Sequence, residues 1–235
     1  MITVILPTWI INEEILQLTK NTLDSLGNID ELIVIDNNGD QGGGFLRSKA
    51  DVYVKNQSNM GYAYAVNQGL KLARNNLICI SNNDVVPSGN WQEVAYEVLN
   101  DKDTYSCHFK MINYNESANL GDKVWYEGKE RWCTSSFFVI NTEKAKFHYD
   151  EGYFNSYDDY DYWYVVRSAG FKTAYTNKAF YRHNHSASKK YTKELSKVDK
   201  KNLEYFKEKW GQDPEELFKS KYPEQWDKDY WGGFE

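Results

Sequence analysis

Apolar and polar positions alternate regularly over the first hundred residues. Ile2–Leu6 is an apolar run that reads as a strand. Glu13–Leu26 offers Ile15, Leu16, Leu18, Thr19, Leu23 and Leu26 to one helix face, with Gly27 as a natural stop. Glu31–Ile35 reads as a second strand, ending at Asp36, and Val52–Val54 as a short third. Ala63–Ala73 follows as a helix, Leu77–Ile80 as a fourth strand and Trp91–Leu99 as another helix. Strands alternating with helices predict an α/β chain with a mostly parallel sheet covered on both faces.

Beyond residue 100 the pattern changes. Tyr105–Phe109 and Thr134–Ile140 read as strands, and the polar stretch Asn113–Glu130 between them as a long loop. Tyr157–Ala169 reads as a helix ending at Gly170, and Lys172–Tyr175 and Ala179–Tyr181 as two short strands. Lys190–Trp210 reads as a helix stopped around Gly211 and Pro214. The tail "YPEQWDKDYWGGFE" is rich in aromatics and charge and would pack on the domain or against a second subunit. There is no internal repeat and no flexible linker. This divides the chain into a main domain over 1–188, with halves of about 1–100 and 101–188, and a helical extension over 189–235.

Composition narrows the class. The chain has 235 residues, 41% hydrophobic and 26% charged, which is a globular balance. No apolar run approaches the ~20 residues that span a bilayer. "MITVILPTW" has no basic start or long apolar stretch, so it reads as a core strand rather than a signal peptide. A net charge of −6 argues against a stable complex with nucleic acid. The lysines at 189, 190, 193, 197, 200 and 201 read as a solvated helix face. Cys79, Cys107 and Cys133 are odd in number and widely spaced, with no CxxC pair. The expectation is a reducing, cytoplasmic compartment, with any membrane met only at its surface. Aromatic residues reach 16%, with 19 Tyr and 8 Trp, more than a core demands, and rings stack well on sugars.

Candidate chemistry follows from where polar residues interrupt the strands. In α/β sheets ligands bind beyond the carboxyl ends of the strands. Thr8, Asp36 and Asp84 all stand there, in "LPTW", "VIDNNGD" and "ISNNDVVP". Dinucleotide and P-loop fingerprints are absent: "PTWIINEE" after the first strand has no glycine, and "GDQGGGF" follows the wrong strand with the wrong spacing.

Four stations in order, and a histidine segment downstream of them, resemble glycosyltransferase family 2, whose members have the GT-A fold. "VILPTW" and "LIVIDNNGD" look like its opening, where the Asp ending the second strand holds the nucleobase; here that is Asp36, with Pro7 and Thr8 nearby. "NMGYAYAVNQGLKLA" is similar to the turn and helix that pass the donor nucleotide, with Gly61 and Asn67 at the matching places. "ISNNDVVP" looks like the DxD-type metal motif in the Asn82-Asn83-Asp84 form of rhamnosyltransferase-like members. "YDDYDYWYVVRSAGFK" resembles the family's acidic helix, with Asp158 in place of Glu, Asp159 as the expected base, Asp161 as the second Asp and Gly170 nine residues further on. "FYRHNHSAS" looks like its late histidine segment, in which His183 or His185 would ligate the metal.

The resemblance implies inverting transfer of a hexosyl or deoxyhexosyl group from a nucleotide-diphosphate sugar to an acceptor hydroxyl, with Mn²⁺ or Mg²⁺ as cofactor. Chemistry agrees. A cation neutralises the leaving diphosphate and needs only one or two protein carboxylates. Asp84 supplies one, while the amides of Asn82 and Asn83 can bond ribose or a ligated water. A carboxylate such as Asp159 can take the acceptor's proton. Arg167 is expected to be structural, as an ion partner of Asp161. Trp9 and Trp132 would pack or stack on a ligand. The acceptor stays open among a glycan, a lipid-linked glycan, a protein and a modified base. Two other readings stand beside this one. An inactive or metal-independent relative would act as a glycan-binding module, and a nucleotidyltransferase would release pyrophosphate.

Overall fold

The computed structural model describes residues 1–113, 120–125, 135–184, 191 and 195–221. His185, Trp132, Cys133, the lysines at 189, 190 and 193 and the tail beyond 221 lie outside the described residues. The chain runs β1 (Ile2–Thr8), α1 (Glu13–Ser25), β2 (Glu31–Asp36), α2 (Gly43–Lys49), β3 (Val52–Lys55), α3 (Tyr62–Leu72) and β4 (Leu77–Ser81). It continues through β5 (Val85–Ser88), α4 (Trp91–Leu99), β6 (Thr104–Ile112), β7 (Val124–Trp125), β8 (Phe137–Asn141), α5 (Asp158–Ser168), β9 (Lys172–His183), α6 (Leu195–Trp210) and α7 (Pro214–Lys221).

The strands form one sheet in the order β3-β2-β1-β4-β8-β6-β9-β5, with β7 on β9. The first four are parallel, because α1, α2 and α3 carry the chain back between them. The other half is mixed: β8 is antiparallel to β4 and β6, and β9 is parallel to β6 but antiparallel to β5. The parallel pattern expected from the sequence thus holds for the first half of the sheet.

Both faces are buried, and the two-residue period of the strands sorts their side chains. Val4, Leu6, Leu32, Val34 and Cys79 face the core beneath α1 and α4, with Ile15, Trp91, Val94 and Val98. Ile5, Ile33, Ile35, Ile78 and Ile80 face the opposite core, with Ala63 and Val66 of α3 and Trp163 and Val166 of α5. α3 lies so close that a Cβ on Gly69 would sit 2.4 Å from Ile5 Cγ2.

Five details depart from the sequence reading. The glycine run "GGFLRSK" forms α2, burying only Leu46. β5 begins directly after Asp84 and includes Pro87, which a strand at the sheet's edge tolerates. β7 forms inside the expected loop. The two short strands near residue 175 are one strand, β9, whose register against β6 slips between Phe109 and Lys110. Pro214 starts α7 rather than ending α6. Proline suits the first helical position, and Asp213 caps the helix by accepting from Glu216 N at 2.9 Å.

α5 is buried on two sides. Tyr162, Trp163 and Val166 pack on the sheet, whereas Tyr164 joins Tyr153, Phe206 and Leu217 in a smaller core under α6 and α7. The expected partnership of Arg167 with Asp161 is replaced. Asp161 accepts from Trp210 Nε1 at 2.7 Å and pairs with Lys209 Nζ at 2.8 Å, and Arg167 Nη2 donates to Thr173 Oγ1.

Candidate active site

The sheet gathers the predicted residues along the carboxyl ends of its strands. Thr8 ends β1, Asp36 ends β2 beside it in register, and Asp84 follows β4. Pro7 is buried within β1, past the end of its pairing with β4.

Asp84 meets His183 through strand register. β5 pairs antiparallel with β9, with Val85 opposite His183, and Asn184 N donates to Asp84 O at 3.0 Å. This sets Asp84 Oδ1 3.1 Å from His183 Nε2, with both side chains 8% exposed. One hard carboxylate oxygen and one imidazole nitrogen side by side form a donor set suited to Mn²⁺. Their separation also matches the ~3.0 Å between neighbouring ligands of an octahedral ion. Among the described residues no group of three or more His, Cys, Asp or Glu gathers to hold a metal.

The preceding amides diverge. Asn82 N donates to Ser136 O at 2.8 Å, which ties this turn to β8. Asn83 is buried, and its Nδ2 donates to Thr19 Oγ1 of α1 at 2.9 Å, so that amide secures the turn to the helix beneath.

At β2, Asp36 is 1% exposed. Its Oδ1 accepts from Gly39 N at 2.8 Å and its Oδ2 from Tyr53 OH at 2.6 Å. Burial, then the Asp36 carboxylate, pushes the Tyr53 phenol up to about 12. Next to it, buried Asn37 donates to Gly61 O at 3.2 Å and accepts from Asn56 Nδ2 at 2.9 Å. Tyr53 and Asn37 were not singled out in the sequence. The doubled Asn after a strand was a signal for Asn37, but Tyr53 looks like any strand aromatic.

Gly61 precedes α3 at φ +87° and ψ 170°, a conformation for glycine, with the Phe154 ring where a side chain would be. Asn67 turns inward. Its Nδ2 donates to Tyr149 O at 2.8 Å and Glu151 Oε1 at 2.9 Å, and its Oδ1 accepts from Tyr149 N at 2.9 Å. Both donors are thus spent on pinning α3 to the segment before α5.

Asp158, Asp159 and Asp161 fill the first turn of α5, where the helix dipole favours negative charge. Asp158 and Asp161 are buried, and Asp159 is half-buried, with Oδ1 accepting from Tyr160 N. Two tyrosines absent from the sequence-based expectations face these acids. Burial, then the charges of Asp158 and Asp159, pushes the Tyr62 phenol well above its ordinary value. Tyr149 is raised too, by burial first and then by Tyr62 and Asp158. Tyr62 OH donates to Ser135 O at 2.9 Å, and its ring meets Tyr149 edge-on at 5.8 Å. Trp9 is half-buried beside Thr8.

Comparison with solved structures places this architecture. The 1–349 piece of S. aureus TarS aligns at TM-score 0.62 and 14% identity, covering 92% of this chain and 74% of that one. GalNAc-T7, solved with UDP, GalNAc and Mn²⁺, aligns at TM-score 0.65 and 12% identity over 95% of this chain and 50% of its own. The mannosyltransferase PcManGT from Pyrobaculum calidifontis, in complex with GDP-Man and Mn²⁺, aligns at 0.59 and 16% identity over 77% and 56%. The chain thus spans only about half of the latter two, and at these identities the likeness shows the fold, which is GT-A. A search of curated protein sequences finds no match. The model of glycosyl transferase family 2 matches residues 3–206, most of the chain, and the chain belongs to that family.

Proposed function

We propose that the protein transfers a hexose or deoxyhexose from a nucleoside-diphosphate sugar to an acceptor hydroxyl, with inversion. Asp159 acts as the base, and Asp84 and His183 hold a divalent cation. The observation that carries this reading is the Asp84–His183 pair, brought to 3.1 Å from positions 99 residues apart. A cation bound there supplies charge neutralisation to the diphosphate as the glycosidic bond breaks.

The chain's own groups divide the remaining work. Asp36, preorganised by Tyr53 and Gly39, receives an N–H of the base. Thr8 and Asn82 border the donor. Among the three acids of α5, Asp159 is the least enclosed, so it is the one an acceptor hydroxyl can reach. Asp158 stands next to it, buried, in the same first turn of α5. A single displacement through one base inverts the anomeric centre. The Asn-Asn-Asp turn, the form seen in rhamnosyltransferase-like members, supports a deoxyhexose as one candidate donor sugar. No helix among the described residues is long and apolar enough to cross a membrane.

The test is thermal melting against UDP, GDP and dTDP, each with and without Mn²⁺. A ligand that binds only the folded state must raise the melting temperature. One nucleotide is expected to stabilise the protein only with Mn²⁺, and Asp84→Ala and His183→Ala to abolish the effect. No shift with any nucleotide would remove the main support for transfer. Product analysis separates the transferase, which releases nucleoside diphosphate, from a nucleotidyltransferase, which releases pyrophosphate. A glycan-binding module would retain its glycan without metal in Asp84→Ala.

A further inference from the structure

The geometry points to Asn202 of α6 as a positioning residue for the base, an inference that rests on reading Asp159 in that role. Asn202 is 2% exposed. Its Nδ2 donates to Phe154 O at 2.9 Å and Ser156 O at 3.0 Å, with Ser156 Oγ also at 2.8 Å. All three oxygens belong to the segment that leads directly into Asp158 and Asp159.

That segment has an unusual backbone. Asn155 and Tyr157 have φ of 57° and 64°, left-handed values that side chains disfavour, most of all a ring as large as tyrosine. Tyr157 is the N-cap residue directly before α5, and no side-chain hydrogen bond caps the helix there. Such a conformation persists only where its surroundings over-determine it. Here it is held from two sides. From the donor side, Tyr62 N donates to Asn155 Oδ1 at 2.9 Å, and the Phe154 ring packs against Gly61. From the other side, Asn202 fixes the carbonyls of Phe154 and Ser156, which sets the peptide planes leading into Asn155 and into Tyr157, the two residues with left-handed φ. Without those donors the segment is free to relax to right-handed φ. The first turn of α5 would then swing, carrying Asp159 away from Tyr62 and Tyr149.

Asn202 is separable from the docking of α6. The helix is anchored independently by Lys209 and Trp210 on Asp161, by Tyr205 on Asp150 and by Phe206 in its own small core. Loss of the amide therefore leaves α6 in place and frees only the segment ahead of the base.

The test compares Asn202→Leu, which keeps the γ-branched frame and removes the donors, with Asn202→Asp, which keeps shape and turns a carboxylate toward two carbonyls. Hydrogen exchange of the amides of residues 160–162 is read first, since Asp161 N donates to Tyr157 O and reports on that residue. Exchange there is expected to quicken at least ~10-fold in N202L, with β1–β4 unchanged. Turnover is read as nucleoside diphosphate released from UDP-, GDP- and dTDP-linked hexoses and deoxyhexoses. For the donor that is turned over, kcat should fall about 10- to 100-fold with donor KM within about 3-fold. N202D should be worse than N202L, an order that a packing role reverses. Asp159→Asn should cost proportionally less in the N202L background, because residues acting as a unit do not multiply their losses. Unchanged exchange at 160–162, or better tolerance of Asp than of Leu, overturns the inference. If D159N alone leaves turnover intact, the base assignment falls, while the exchange result still decides whether Asn202 holds the segment.

Discussion

Replacing Asp161 by alanine probes how the C-terminal helices are fastened to the helix that carries the acids. The carboxylate is buried and accepts from Trp210 Nε1 at 2.7 Å and pairs with Lys209 Nζ at 2.8 Å. Truncation leaves the partly buried indole N–H without its acceptor, worth about 1–3 kcal/mol. Lys209 loses less, because Asp150 Oδ2 still holds it at 2.6 Å, so its share is about 1 kcal/mol. The expected loss is thus about 3 kcal/mol, below the upper end for breaking a buried pair, since half the pair is retained. At about 2–4 °C per kcal/mol for a chain of this size, the melting temperature should drop roughly 6–12 °C. Urea unfolding gives the free energy directly. A cycle with Lys209→Met should show coupling of about 1 kcal/mol between the two positions. A loss below about 1 kcal/mol in D161A, or strict additivity in the cycle, would refute the idea that this contact fastens α6 to α5.

Asn67→Ala should destabilise the fold by about 1–3 kcal/mol, by freeing the Tyr149 backbone, and leave the affinity for nucleoside diphosphate unchanged in calorimetry. A selective loss of affinity would return Asn67 to the donor site. Gly61→Ala places a side chain at φ +87° and 2.9 Å from Phe154 Cδ2, and should cost about 1–3 kcal/mol in backbone strain alone, read by thermal melting. The pH dependence has two limbs with opposite signs. At Glu31 burial opposes ionisation, but hydrogen bonds from Arg74 and Thr3 hold the pKa below its ordinary value. At Asp150 burial is likewise outweighed, by Lys209 and Gly152. Stability from both is complete above their unfolded values of about 4.3 and 3.9 and is lost as pH falls through the lower folded values. For Lys209 burial is outweighed by Asp150 and Asp161, so its pKa is raised. Its contribution is present below about 10.4 and lost as pH rises through the folded value. Melting curves should therefore show D161A leaving the contribution of Glu31 to the acid limb unchanged and flattening the alkaline limb.

The parallel half of the sheet was legible because β1, β2 and β4 are buried on both faces and read as near-continuous apolar runs. Asp36 and Asp84 were legible for the same reason: a carboxylate directly after such a run stands out. The partnership of Asp84 with His183 was not readable from spacing, since it depends on β5, whose Pro87 made it look like a turn. Likewise, β9 seemed two strands because Asn177 and Lys178 interrupt its apolar pattern at the register slip. The duties of the amides were hidden more deeply. Asn67, Asn83 and Asn202 resemble surface or ligand-binding residues in sequence, and only packing reveals that each fastens one segment to another. Sequence proximity suggests Arg167, six residues away, as the partner of Asp161, whereas its actual partners lie 48 and 49 residues downstream.

Those long separations have a consequence for the chain as it is being made. The ribosome adds roughly 5–20 residues per second, and N-terminal structure forms first. β1 to β4 with their helices are a local unit, able to pair once about the first third of the chain has emerged. His183 follows Asp84 by 99 residues, so the imidazole reaches its carboxylate some 5–20 s later. Asn202, Lys209 and Trp210 come later still, and they organise the segment and the helix bearing Asp159. The nascent protein therefore carries a formed parallel half-sheet well before the residues of the proposed centre are all in place, and a chain cut short ahead of α6 would be folded in part, with the segment before Asp159 still unfastened.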